Sequence, residues 1–246
     1  MVSCICPTYN RFPIDAWMLD ECVYWFTKQT YTGERELIIL NDNPLQKLTC
    51  ATPGVMVYNE SLRYPSLGAK YNRLLELAKG DIILPWEDDD ISLPHRIEQS
   101  VAVLDSFKKS YWNPKMAFFQ NGNRAELTLC SPNSVHHNAS AFRRTALRYP
   151  EDCKQDTGMD QLLAGSVPTI TGLLAHLTPS YVYRWQCAAY FGNLSGYYDP
   201  QKAYTDYCPE SHSSSSYNIV PTMHRDYQAE GETLWEKLYG TSEYIA

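Results

Sequence analysis

The 246-residue chain carries eight cysteines (Cys4, Cys6, Cys22, Cys50, Cys130, Cys153, Cys187 and Cys208), yet it lacks a Cys-x-x-Cys pair. That absence argues against a zinc site or a disulfide framework and leaves reduced, mostly buried thiols as the plainer reading. The chain also lacks any apolar run near the ~20 residues that a membrane-spanning helix needs. Its opening, MVSCICPTYN, has neither the basic start nor the apolar length of a secretory signal. A P-loop and a G-x-G-x-x-G fingerprint are both missing, which argues against an NTPase or a dinucleotide enzyme. Nor is there an excess of basic residues: 21 Lys and Arg stand against 28 Asp and Glu, for a net charge of −7. A general nucleic-acid binder needs a broad basic face, although a local basic groove is still allowed. These absences predict a soluble protein of a reducing cytoplasm with no membrane partner.

What is present suits an ordinary α/β domain, with 44% hydrophobic residues to fill a core. Val2 to Cys6 reads as a buried first strand, with Cys4 and Cys6 pointing to one face. A helix is expected from about Asp15 to Gln29, because Ile14, Met18, Cys22 and Phe26 recur every four residues. Glu36 to Leu40 reads as a second strand, stopped by Asn41-Asp42-Asn43-Pro44, and GVMVYN as a third. Leu67 to Lys79 predicts a helix with Leu67, Tyr71, Leu74, Leu75 and Ala78 on one side and Gly80 as its C-cap. DIILPW is a fourth strand, and Ser92 and Pro94 announce a helix that buries Ile97, Val101 and Leu104. This alternation predicts a mostly parallel sheet flanked by helices. The second half is less regular. KMAFFQ, ELTLC and SYVYRW read as strands, SAFRRTALRYP as a strand running into a short helix, and MDQLLAG as helical. ESHSSSSYN reads as a linker within a mobile loop or lid, before a final helix near ETLWEKLYG.

In an open α/β sheet, ligands bind beyond the carboxyl ends of the strands. Three polar clusters meet there: PTYNR after the first strand, NDNP after the second and WEDDD after the fourth. Glu87, Asp88, Asp89 and Asp90 are consecutive, and like charges ~4 Å apart repel by roughly 4 kcal/mol at an effective dielectric near 20. At the mouth of a sheet such a run calls for a hard divalent cation, Mg²⁺ or Mn²⁺, shared with substrate phosphates. The competing reading is a solvated acidic turn at the start of the helix near Pro94. PTYNR is either a turn or a pocket with Arg11 or the backbone near a phosphate and Tyr9 near a base. Asp42 is either a turn residue or an acceptor for a base or ribose.

Together these segments resemble glycosyltransferase family 2, whose members are inverting enzymes of the GT-A fold. The matching residues are VSCICPTYNR, ELIILNDNP, LGAKYNRLLELAKGDIILPWEDDDISLPHRI and, less closely, GMDQLL. They lie within roughly the first 165 residues. The PW-acid-DDDI-LPHR form is similar to small glycosyltransferases of bacteriophage genomes. The resemblance implies a Rossmann-like GT-A domain over 1–190, with a nucleotide-sugar half (1–105) and an acceptor half (106–190). Residues 191–246 are then an irregular extension or lid. It implies that Pro7, Thr8, Tyr9, Asn10 and Arg11 line the nucleotide pocket, that Asp42 contacts a base, typically uracil, and that Lys70 and Asn72 help to hold the donor. The D-x-D motif of the family falls on Glu87-Asp88-Asp89, with Glu in place of the usual first Asp. Asp89 would ligate the metal, and Asp88 or Glu87 would face the ribose. The catalytic base falls on Asp160, where Met159 replaces a frequent acid, with Asp156 as the alternative. The competing reading of Asp160 is a helix N-terminal carboxylate. His224 would supply a further metal ligand and Arg225 would meet the diphosphate, while His136 and His137 would lie near the acceptor. Lone histidines are more often structural.

The expected function is therefore metal-dependent transfer of a sugar from a nucleotide-sugar, UDP-linked by the resemblance, to an acceptor hydroxyl. Two other classes stay open: a nucleotide-sugar-binding module without turnover, and a nucleotidyltransferase, which the absence of a Gly-rich basic loop near the first strand disfavours. The phage-like form suggests hydroxymethylated pyrimidines in DNA, or virion proteins, as acceptors. The many tyrosines after residue 180 fit stacking on bases or sugars, or simple packing.

Overall fold

The computed structural model describes residues 1–12, 15–122, 125–130, 137–146, 148–151, 169–171, 177–185 and 214–240. Its centre is a seven-stranded sheet. Strands β1 (Val2–Thr8), β2 (Arg35–Asn41), β4 (Val55–Asn59) and β5 (Ile82–Pro85) form its parallel half, in the order β5-β1-β2-β4. Beyond β5 lie β10 (Ala141–Arg143), β7 (Tyr111–Asn113) and β11 (Thr169–Thr171), with β10 antiparallel to both of its neighbours.

Alternation along these strands builds two cores. Val2, Cys4 and Cys6 of β1, Leu37 and Ile39 of β2, and Ile82 and Leu84 of β5 face one side. Helices α1 (Ala16–Thr27) and α3 (Arg96–Phe107) cover that side through Leu19, Cys22, Phe26, Ile97 and Leu104. Ile5, Ile38, Leu40 and Ile83 face the other side, covered by α2 (Leu67–Leu77) through Tyr71, Leu74 and Leu75. Leu37 to Leu40 are all 0% exposed. Each such side chain contributes roughly 1.5–3 kcal/mol on burial, so the apolar run has no solvent face to lose.

Gly80 departs from its expected role. Helix α2 ends at Leu77, and Ala78 caps it in an extended conformation. A Cβ on Gly80 would stand 2.6 Å from the Ser3 backbone nitrogen, so the residue is glycine for want of space, not for handedness. The described end of the linker-like serine segment also departs from expectation. Ser215–Ile219 forms strand β13, paired in parallel with β3 (Gln46–Cys50). Serines give a weak strand signal, and the pairing comes from backbone hydrogen bonds that side-chain patterning does not report.

A second, four-stranded sheet runs β6-β12-β8-β9: β6 (Ile91–Ser92), β12 (Tyr181–Trp185), β8 (Ala117–Asn121) and β9 (Thr128–Cys130). The acidic run is the crossover from β5 of the large sheet to β6 of the small one. Helix α4 (Tyr227–Tyr239) is capped by the Asp226 carboxylate and packs on β8, with Gly231 against the Phe118 ring. Among the described residues no helix is long and apolar enough to cross a membrane.

Candidate active site

Each of the three strand ends brings one anchor. β1 and β2 run in register to their ends, Thr8 opposite Asn41, which sets Thr8 and Asp42 side by side. Lys70, 1% exposed on α2, joins them: its Nζ donates to the Thr8 carbonyl at 2.6 Å and to Asp42 Oδ1 at 2.5 Å. Asp42 Oδ2 accepts the Tyr64 N–H at 3.0 Å, and the carboxylate is wholly buried.

The third strand end closes on the first. Thr8 Oγ1 donates to Asp88 Oδ2 at 2.5 Å. Arg11 grips Asp88 with both arms of its fork, Nε to Oδ2 at 2.8 Å and Nη2 to Oδ1 at 2.6 Å. Its Nη2 also reaches Asp89 Oδ2 at 2.9 Å. Arg11 thus offsets the repulsion that the acidic run would otherwise suffer. Burial opposes ionisation of Asp88, but the Arg11 guanidinium outweighs it and holds the carboxyl below its usual range.

The other acids are set apart by their surroundings. Glu87 is pushed well above the ordinary carboxylate range, first by burial and then by the charge of Asp89, although the Tyr71 hydroxyl donates to it. Asp90 accepts from the Tyr181 hydroxyl and from the Arg184 N–H at 2.7 Å, and is pushed up to about 7, first by burial and then by Asp89. The side chain of Asp89 is 27% exposed, against 3% for Asp88. Arg96 braces the run from below. Its guanidinium lies between the Trp86 and Tyr181 rings, 5.3 and 4.6 Å from their centroids. It donates to the Pro85 carbonyl at 2.8 Å and to Ser92 Oγ at 2.5 Å, the two ends of the crossover.

The remaining expected residues fall as follows. Pro7 is buried at the end of β1. Tyr9 is half-buried, with the Arg63 guanidinium 4.1 Å from its ring centroid. Asn10 takes a left-handed φ of 56° and accepts from Asn43 Nδ2 at 3.1 Å, linking the first two strand ends. Asn72 is buried and holds the backbone of Tyr149, donating to its carbonyl at 2.9 Å and accepting its N–H at 2.8 Å. Its Nδ2 also reaches Glu151 Oε1 at 2.6 Å. His224 is exposed and stands edge-on to Trp17, its backbone N–H reaching Glu21 Oε1 at 3.4 Å. Arg225 pairs with Glu230 at 2.5 Å. Asp156, Asp160 and His136 lie outside the described residues. His137 is a buried core histidine, its Nε2 2.8 Å from the Tyr149 hydroxyl.

Sequence reasoning missed Glu21, Tyr71, Tyr181, Arg96 and Arg184. For Glu21 a signal existed: Asp20-Glu21 interrupts the otherwise apolar AWMLDECVYWF, and two acids in such a helix call for buried partners.

Among the described residues no three His, Cys, Asp or Glu side chains form a ready-made metal cage. Asp89, a hard oxygen donor that is partly exposed, still fits a cation that takes one or two carboxylates and completes its shell with phosphate and water. The five described cysteines are free, with Cys4, Cys6 and Cys22 buried.

The family model described as "Glycosyl transferase family 2" matches residues 3–152, which contain all three strand ends and the acidic run. The chain belongs to glycosyl transferase family 2. No curated protein matches it in sequence. Solved structures resemble it in fold. S. aureus TarS 1–349 in complex with UDP-GlcNAc gives a TM-score of 0.58 at 16% identity, over 80% of this chain and 61% of that one. Another structure of TarS 1–349 gives 0.54 at 18% identity, over 74% and 60%. The mannosyltransferase PcManGT from Pyrobaculum calidifontis, in complex with GDP-Man and Mn²⁺, gives 0.50 at 16%, over 74% and 56%. The chain thus spans about three fifths of the length of these structures. At such identities the likeness establishes the GT-A-like fold of this family member.

Proposed function

We propose that this chain transfers a sugar, with inversion, from a nucleotide-sugar donor to an acceptor hydroxyl. The observation that carries the reading is the joining of three strand ends by Lys70 and Arg11, with Asp89, a partly exposed acid, beside them. Family membership supports it, as do the nucleotide-sugars named in similar structures, UDP-GlcNAc in one and GDP-Man with Mn²⁺ in another.

In this reading Pro7, Thr8, Tyr9, Asn10 and Arg11 line the nucleotide pocket, with Tyr9 near the base. Asp42 and Lys70 form its floor, with Asp42 towards the base. Asn72 acts on the donor pocket through the 149–151 backbone. Asp89 would hold Mn²⁺ or Mg²⁺, with His224 as the further ligand, and Asp88 or Glu87 would face the ribose. A cation held there would supply positive charge to the departing diphosphate. Asp160, with Asp156 as the alternative, takes the acceptor proton as the acceptor oxygen bonds to the anomeric carbon. The bond from that carbon to the diphosphate breaks in the same displacement, and the nucleoside diphosphate leaves with the electron pair. The acceptor in this reading is a phage-type one, hydroxymethylated pyrimidine in DNA or a virion protein. Residues 191–246 are the extension beyond the acceptor half in this reading, and its described part, 214–240, is docked on the body.

The test is release of nucleoside diphosphate from a panel of UDP- and GDP-sugars with Mn²⁺ or Mg²⁺. Asp89→Ala is expected to lower turnover by more than the roughly 10–100-fold cost of losing an outer-shell partner. Asp160→Asn is expected to abolish it while nucleotide binding persists. Full turnover by Asp89→Ala would remove the metal assignment. Binding without turnover by the wild type would leave a binding module, and pyrophosphate release from a nucleoside triphosphate would mark a nucleotidyltransferase. Mass spectrometry of DNA and protein from expressing cells identifies the acceptor.

A further inference from the structure

The acidic run is also held from a side that the donor reading does not use. Arg184, on β12, donates its backbone N–H to Asp90 Oδ1 at 2.7 Å and its Nε–H to the Asp89 carbonyl. Its Nη1 reaches Glu21 Oε2 at 2.7 Å, and both side chains are 1% exposed. Glu21 lies in the middle of α1, and its other oxygen accepts the His224 N–H at 3.4 Å. The adjacent Asp20 accepts the Tyr217 hydroxyl at 2.5 Å and the Val220 N–H at 2.8 Å, and its carbonyl accepts the Thr222 N–H at 3.3 Å. One pair of acids on α1 therefore grips residues 217–224, and one arginine carries that grip to the acidic run.

Burying two full charges is costly, and apolar residues of similar volume often replace such a pair with no loss of stability. What the pair supplies and apolar residues cannot is direction. The guanidinium fork aims one N–H at a carboxylate and another at a peptide carbonyl of the neighbouring loop. The Trp17 and Tyr227 rings, with centroids 5.5 and 5.9 Å from the guanidinium carbon, hold the fork from its sides.

We infer that the Glu21–Arg184 pair is a positioning device that fixes the peptide carrying Asp89 and makes its setting depend on the docked C-terminal segment. The inference rests on the donor-site reading above. Arg184 acts through Asp89 and Asp90 and is a positioning residue.

Two variants test it. Glu21→Leu/Arg184→Met removes both charges together, and Arg184→Lys keeps the charge but not the fork. UDP and GDP are titrated calorimetrically into each protein with and without Mn²⁺. Both variants are expected to melt within a few degrees of the wild type and to bind nucleotide without metal as the wild type does. They are expected to lose about tenfold of the affinity gained on adding Mn²⁺, the scale of an outer-shell effect. An undiminished gain would overturn the positioning role and leave the donor site standing. Equal loss with and without Mn²⁺ would mark general distortion and overturn it too. A wild type without any Mn²⁺-dependent gain would overturn the donor-site reading and this inference with it. If the double variant does not fold, Arg184→Lys decides; failure of both to fold would make the pair purely structural and end the proposal.

Discussion

Lys70 and Asp42 form an ion pair with both side chains at 1% exposure or less. Removing one partner of such a pair costs roughly 3–5 kcal/mol, because the other charge stays buried. Lys70→Met should therefore lower the urea midpoint sharply, whereas Lys70→Met/Asp42→Leu should recover most of the loss and still fail to bind nucleotide. His137 makes a different prediction. Its pKa is lowered to about 3, first by burial and then by the nearby Arg96 charge. Because the folded value lies below the unfolded one near 6.5, the stabilisation is complete above pH ~6.5. It fades as the pH falls towards 3, by roughly 1.4 kcal/mol per unit. Urea midpoints between pH 7 and 4 should show this slope, and His137→Gln should flatten it. Neither the Lys70 bridge nor the His137 burial was legible in the sequence. A lysine inside an amphipathic helix and a histidine before a strand have many possible neighbours, and only long-range packing selects one.

At the scale of elements, alternation and periodicity carried most of the information. The strands β1, β2, β4 and β5 and the helices α1 to α3 fall where apolar patterning puts them, because each must bury one face or both. The errors came where a residue's reason was a distant neighbour. Gly80 looked like a cap but admits the close approach of β1. Gly80→Ala should lower the melting temperature by the equivalent of about 1–3 kcal/mol, since a backbone nitrogen cannot move aside as a side chain can. Ser66 does cap α2, accepting the Ala69 N–H at 3.1 Å, and its hydroxyl donates to the Glu151 carbonyl at 2.8 Å. Ser66→Ala should cost about 1 kcal/mol for the cap, and more if the 149–151 segment loosens with it.

At the scale of the molecule, the described part of the C-terminal region is bound into the body at three places: β13 on β3, residues 217–224 on Asp20 and Glu21, and α4 on β8. A chain ending at residue 213 should melt at lower temperature and bind a hydrophobic dye, because Leu48 and Phe118, 3% and 0% exposed, would lose their cover. The sequence by itself determined the parallel half of the sheet, the helices on its two faces and the meeting of three polar strand ends. Those features follow from local periodicity and from the rule that ligands of an open α/β sheet bind beyond the carboxyl ends of its strands. Only the tertiary structure decided which partner each charge takes: Arg11 on Asp88 and Asp89, Lys70 on Asp42, Arg184 between Glu21 and the acidic run. These pairings join residues up to 163 positions apart, and the Coulombic and hydrogen-bonding forces that select them act through space, not along the chain.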